Sequence, residues 1–353
     1  MAFEDRVTEL VAEIPPLDEA VINEARERHT GLTKPPGSLG RLEGLGARLA
    51  GMAGECPPPV PENPAVLVCA GDHGVLGRGV SPWPQAVTAA MVGNFCHGGA
   101  AVTAFAKSVG ARVSVLDVGV AGEMAGHPLL RAAKVRRGTE DLSRGPAMTR
   151  DEAARAVMAG AGAAEELIES GGVDLLVAGD MGIGNTTPAA CLISSFTGSP
   201  PKVTTGRGTG IDDRTLELKV NVVEQALEVH DPNPGDPLGV LAAIGGLEHA
   251  AIVGVILLGA VYGVPVILDG VVSNSAALVA RALAPRSAGY LVAGHLSAEP
   301  GALIALEYLE LEPLLDLNMR LGEGTGGLLA VPLVQAAARA IAEMATLEEL
   351  GFG

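Results

Sequence analysis

The stretch VDLLVAGDMGIGNTTPAACLI, Val173 to Ile193, decides the fold. An apolar run of strand length stops at Gly179 and Asp180, and Gly182 and Gly184 follow at once. Asn185, Thr186, Thr187 and Pro188 then open an apolar segment of helical length, with the helix beginning near Thr187 and Pro188. Strand, tight turn and helix in this order form the repeating unit of a parallel sheet. The same ending recurs in AVLVCAGDHG from Ala65, VSVLDVG from Val113, VPVILDG from Val264 and GYLVAGH from Gly289. Ala-rich segments of helical length lie between them: Pro84 to Val109, Asp151 to Ser170 and Leu247 to Ala260. The alternation predicts an α/β fold with a doubly wound, mainly parallel Rossmann-like sheet. Ligands in such sheets bind beyond the carboxyl ends of the strands, where the Gly, Asp and His residues collect.

Outward from this centre, residues 1 to 55 and 300 to 353 carry helical patterns without a clear strand. They are expected to form a small helical domain from both termini, beside a large α/β domain spanning 56 to 299. The prolines of CPPPVPENP, from Cys56, disfavour helix and mark an extended link between the two.

The 353 residues can bury a large core. With 24 Lys+Arg against 41 Asp+Glu, the formal charge is -17, which disfavours nucleic acid and anionic membranes as partners. Four scattered cysteines form no C-x-x-C pair, and MAFEDRVTEL lacks the apolar core of a secretory signal, so a cytoplasmic protein is expected. The uncharged stretch Ala250 to Leu268 is long enough to raise a membrane span, but Gly263, Val264 and Pro265 divide it into a buried helix and a buried strand.

Five motifs bear on chemistry. In KPPGSLGRLE, Lys34 to Glu43, a turn leads into a helix that Ser38 is placed to cap; Lys34 and Arg41 are read as structural rather than anion-binding. In AGDHGV, Ala70 to Val75, Asp72 and His73 suggest metal ligands, yet neighbours on a strand point to opposite faces and cannot readily share one ion. No metal site is expected. The loop of the opening stretch is built as an anion cradle: its glycines let backbone N–H groups approach, and the helix N-terminus adds positive potential. It is neither a Walker A sequence nor a regular dinucleotide fingerprint, and an ordinary strand-to-helix turn would read the same way. A second Gly-rich opening, TTGRGTGIDDRTLELK from Thr204, leads to Lys219 on an early helical turn. Two such openings in one chain favour a phosphate-bearing ligand. Finally, LNMRLGEGTGGLLAVPLV from Leu317 sets Glu323 between two glycines ahead of an apolar helix. Two readings stand: an enclosed general base, or an acid favoured by the helix dipole.

Taken together, KPPGSLGRLE, GDHGV with PQAVTA, GDMGIGNTTPAA, ILDGVVSNSAAL, GHLSAEPGALIAL and NMRLGEGTGG resemble the nicotinate-nucleotide:dimethylbenzimidazole phosphoribosyltransferase family over nearly the whole chain. The resemblance implies transfer of the phosphoribosyl group of nicotinate mononucleotide to 5,6-dimethylbenzimidazole, in assembly of the cobalamin nucleotide loop. It implies a homodimer and no cofactor. It makes Glu323 the base, with Leu321 beside the attacking ring, Asp180, Gly182 and Lys219 at the ribose phosphate, and Ser81 and Met91 near the base pocket. Two positions depart from the family pattern: Asp180 stands where Glu is expected, and Met91 where Gln occurs. The alternatives are a metal-dependent phosphoesterase on Asp72, His73, Asp269 and His295, and a non-catalytic nucleotide-binding protein.

Overall fold

The computed structural model describes residues 2–352. Among them, six strands form one sheet: β1 (Pro64–Gly71), β2 (Arg112–Gly119), β3 (Leu130–Ala132), β4 (Leu175–Met181), β5 (Val266–Leu268) and β6 (Leu291–Ala293). Their order is β3-β2-β1-β4-β5-β6 and every pairing is parallel, the doubly wound arrangement that the strand endings predicted. The edge strand β3 was not foreseen. It pairs only through Val115↔Leu130 to Asp117↔Ala132.

The register shows how the helices cover both faces. Leu176 pairs with Val266 and Val177 with Ile267, and successive side chains on a strand face opposite ways. Helix Leu247–Val261 packs on the first pair, since a Cβ on Gly259 would lie 2.5 Å from Val266 Cγ2 and 3.8 Å from Leu176 Cδ1. Helix Thr325–Glu343 packs on the second, with the Cβ position of Gly327 2.7 Å from Val177 Cγ1. On the first face, helices Arg150–Glu169 and Leu247–Val261 meet backbone to backbone: a Cβ on Gly160 would strike the Ala251 carbonyl, and one on Gly254 the Val157 carbonyl.

The uncharged stretch divides as expected, into a helix ending at Val261 and the strand β5. Helix Thr325–Glu343 also has the length and composition to cross a membrane, yet Leu328, Val331, Val334 and Ala338 are fully buried within the protein. Its far end joins the N-terminal helices, where Ile341 packs with Ile22, Ala25, Ala47 and Ala50.

Two local expectations need correction. The segment Pro84 to Val109 is two helices, Ala86–Cys96 and Ala101–Val109, because Gly98 takes a left-handed conformation (φ 78°) and ends the first. Ser38 caps nothing: the helix starts at Arg41 behind Gly40, without a side-chain cap. Glu43 organises that turn instead, accepting from Gly37 N, Leu39 N and Lys34 Nζ. Lys34 is thereby occupied, and Arg41 donates to the Pro313 carbonyl, in keeping with their structural reading.

Candidate active site

Strand order reverses between β1 and β4, and the loops leaving these strands touch. A Cβ on Gly182 would collide with the Gly71 carbonyl and lie 3.1 Å from His73 Nε2, so only glycine permits this approach. A cavity of about 700 Å³ opens here, and Ser81, Met91, Asp180, Gly182, Lys219, Leu321 and Glu323 all line it. Segments far apart in sequence, the two Gly-rich openings and the Gly322–Gly324 turn, therefore meet in one place.

Lys219 is 1 % exposed and donates to Thr186 Oγ1 (2.7 Å) and to the Gly206 carbonyl (3.0 Å). Burial lowers its pKa to about 8, although Glu299 and Cys191 pull it back up. Glu299 accepts from Gly208 N at 2.8 Å and so holds the second Gly-rich turn against the lysine. This acid was missed as a site residue; an acid before Pro300 at a helix start was its only sequence signal.

Asp180 is the penultimate residue of β4 and is buried, accepting from Asn185 Nδ2 at 2.9 Å. Burial, then the charge of Asp269, push its carboxyl well above the usual range; Asn185 opposes this, and Glu248 and Glu323 add to it. The Gly322 turn lies directly over it, the Cβ position of Gly322 being 3.3 Å from Asp180 Oδ2.

Glu323 sits at φ 66°, between Gly322 (φ 85°) and Gly324 (φ 88°). A left-handed non-glycine residue costs on the order of 1–3 kcal/mol and persists only where its surroundings enforce it. The enforcement is visible: Thr325 Oγ1 donates to the Gly322 carbonyl at 2.7 Å, and Asp269 accepts from Gly324 N. The Glu323 side chain is enclosed, and its Oε2 has no hydrogen-bond partner among the described residues. Burial raises its pKa to about 7, the Val102 N–H at the start of helix Ala101–Val109 lowers it, and Asp269 raises it further. A cavity-lining carboxyl balanced near neutrality, with one oxygen left without a partner, is suited to accept a proton.

The phosphoesterase quartet does not assemble. Asp72 accepts from Ala121 N (2.7 Å), while His73 turns to Glu248, their Nε2 and Oε1 lying 2.7 Å apart. Asp269 is taken up by backbone N–H groups of Gly324, Gly326 and Gly327, with His295 Nε2 3.5 Å away. Among the described residues, the group close enough to share an ion is a different one: His73, Glu248 and His249. Sequence could not show it, since Glu248 is 175 residues from His73. His73 Nε2 and Glu248 Oε1 share a hydrogen bond at 2.7 Å, His249 Nδ1 lies 2.9 Å from the same oxygen, and Gly71, Gly182 and Gly246 press against the group. Burial alone would raise the Glu248 pKa, but His73 and His249 lower it to about 2, so the carboxylate is held by its neighbours behind the loops.

A doubly wound sheet with two glycine-rich helix openings, a buried lysine and an enclosed carboxyl at its switch point is an arrangement suited to a transferase acting on a phosphate-bearing substrate. A family model described as phosphoribosyltransferase matches residues 14–351. The nicotinate-nucleotide–dimethylbenzimidazole phosphoribosyltransferase of Salinispora tropica is 54 % identical over 354 residues, covering 96 % of this chain and 97 % of that one. That of Chloroflexus aggregans is 50 % identical, covering 98 % and 97 %. The crystal structure of the enzyme of this name from Thermus thermophilus superposes with a TM-score of 0.90 at 48 % identity, over 96 % of this chain and 99 % of that one. The chain belongs to the nicotinate-nucleotide–dimethylbenzimidazole phosphoribosyltransferase family.

Proposed function

We propose that the cavity holds nicotinate mononucleotide and 5,6-dimethylbenzimidazole or a related base, and that Glu323 is the general base of the transfer. The observation carrying this reading is the enclosed Glu323 carboxyl, with its pKa near 7, lining the same cavity as the buried Lys219. The ribose phosphate is received by Lys219, by the Gly182 loop and by the N-terminus of helix Thr186–Thr197, whose N–H groups offer partial positive charge. Asp180 stands behind that loop and holds it through Asn185. Ser81, Met91 and Leu321 surround the base, and Met91 leaves that pocket apolar and adaptable.

Glu323 takes the N–H proton of the benzimidazole, and the freed nitrogen lone pair bonds to C1′ of the ribose. The C1′–N bond to nicotinate breaks, and its electron pair returns to the pyridinium nitrogen, which leaves neutral. Attack on the face opposite the leaving group converts a β-nucleotide into α-ribazole 5′-phosphate. The leaving group already carries its positive charge, so positioning and proton removal are the principal demands. General-base help contributes about 10² to 10⁴ in rate and orientation adds to it.

Trp83 and Leu321 line the cavity yet are 51 % and 57 % exposed, which supports a homodimer whose second copy covers the mouth. The packing of Ile341 with the N-terminal helices supports reading residues 1–55 and 300–353 as one helical unit beside 56–299. A cytoplasmic location fits the chain's four free cysteines.

The direct test incubates purified protein with nicotinate mononucleotide and 5,6-dimethylbenzimidazole, with and without EDTA, and follows nicotinate and the new nucleotide by mass. Equal product in both arms is expected. No product with this base or a panel of other bases would return the cavity to a binding role, and loss with EDTA alone would remove the metal-free mechanism.

A further inference from the structure

Asp269 follows β5 directly, and its carboxylate is fully buried. Both oxygens are committed to one target: Oδ2 accepts from Gly324 N (3.1 Å), and Oδ1 from Gly326 N (2.7 Å) and Gly327 N (3.0 Å). These N–H groups belong to the turn and opening of helix Thr325–Glu343, whose N-cap, Gly324, has no side chain to supply a cap. The missing cap thus comes from a different strand, and it holds the residue next to Glu323 in its left-handed conformation.

We infer that Asp269 is a positioning residue for the transfer: it clamps the backbone turn that presents Glu323 to the cavity. This rests on Glu323 being the base. The pKa of about 7 agrees, since burial raises it first and the Asp269 charge adds to the rise against the Val102 N–H. The other titratable groups around the loop are Asp180 near the end of β4 and His295 after β6.

Asp269→Asn keeps the size but loses the charge and one acceptor, so one of the three N–H groups must face an amide NH₂. Asp269→Glu keeps the charge but moves the acceptors by a methylene. The test measures kcat and KM against pH for the wild type, both variants and Glu323→Gln, with nicotinate mononucleotide and dimethylbenzimidazole. For Asp269→Asn, kcat is expected to fall about 10- to 100-fold with KM for the mononucleotide within about twofold, and the acidic limb to move to lower pH. For Asp269→Glu, kcat falls about as far while the limb stays. Wild-type kcat and an unmoved limb in Asp269→Asn overturn the inference; if that variant is insoluble, kcat within about twofold of wild type in Asp269→Glu does so. Full activity of Glu323→Gln would instead sink the underlying assignment of the base.

Discussion

Lys219 Nζ donates to Thr186 Oγ1 across 2.7 Å, joining the second turn of helix Asp213–His230 to the first turn of helix Thr186–Thr197. The bond brings a buried cation against the helix N-terminus that borders the cavity, so charge and helix dipole act on one point.

Lys219→Met should therefore weaken the hold on the phosphate. A hydrogen bond to a charged group contributes about 1.5–3 kcal/mol, so KM for nicotinate mononucleotide should rise by about 10- to 100-fold. The pH dependence has a definite sign. The ammonium titrates at about 8, below the usual lysine value, and is charged below that pH. Wild-type KM should rise as pH passes about 8, and the variant should lose this limb. A KM in Lys219→Met equal to wild type would place the phosphate elsewhere.

Glu323→Gln should preserve the fold and mononucleotide binding while kcat falls by about 10² to 10⁴. The active form is the carboxylate, whose population grows as pH rises through about 7, so wild-type kcat should climb across that range and then level. Stopped-flow nicotinate release from about pH 5.5 to about 7.5, where most of Lys219 keeps its charge, reads this limb separately from the first. Unchanged turnover in the variant would remove Glu323 from the mechanism.

Much of this was legible because the strands announce their ends. Gly71, Gly119, Gly179 and Gly270 follow apolar runs that are buried on both faces, so periodicity is absent and punctuation carries the signal. The edge strand β3 lacks both cues: three residues, LRA, owe their conformation to pairing with β2 alone. The resemblance supplied the cavity-lining residues one by one, but not their supports. Glu248 reads as an isolated acid in an apolar helix, and its partner His73 comes from another strand's end. Ser38 had the right residue type for a cap, yet the helix starts at Arg41 behind Gly40, and Glu43 reaches back to bind the turn N–H groups of Gly37 and Leu39.

The close approach of helices Arg150–Glu169 and Leu247–Val261 gives a prediction about stability alone. Gly254→Ala would place a Cβ against the Val157 carbonyl and 2.7 Å from Ala161 N, both backbone atoms that cannot rotate away. Overpacking of this kind costs about 1–3 kcal/mol. The urea midpoint should fall by the corresponding amount, while the KM values of the folded protein stay unchanged. A midpoint equal to wild type would mean that the helices separate freely.

Base choice offers the last test, and it turns on Met91. The side chain is half-buried, lines the cavity and brings no hydrogen-bond donor, so it contacts a ring through polarizable surface alone. Met91→Gln introduces an amide that must find partners when a base covers it. With 5,6-dimethylbenzimidazole, whose methyl groups offer none, the uncompensated amide should lower kcat/KM by roughly 10-fold, equivalent to about 1–2 kcal/mol. A base bearing a hydroxyl or amino group at the same edge can pair with the amide, so its kcat/KM should fall less or rise. Competition between the two bases in one reaction, with products separated by mass, measures the ratio directly and cancels differences in active protein. A ratio unchanged from wild type would show that Met91 lies beside the ring without selecting it, and would move the search for the selecting residue to Ser81 and Leu321.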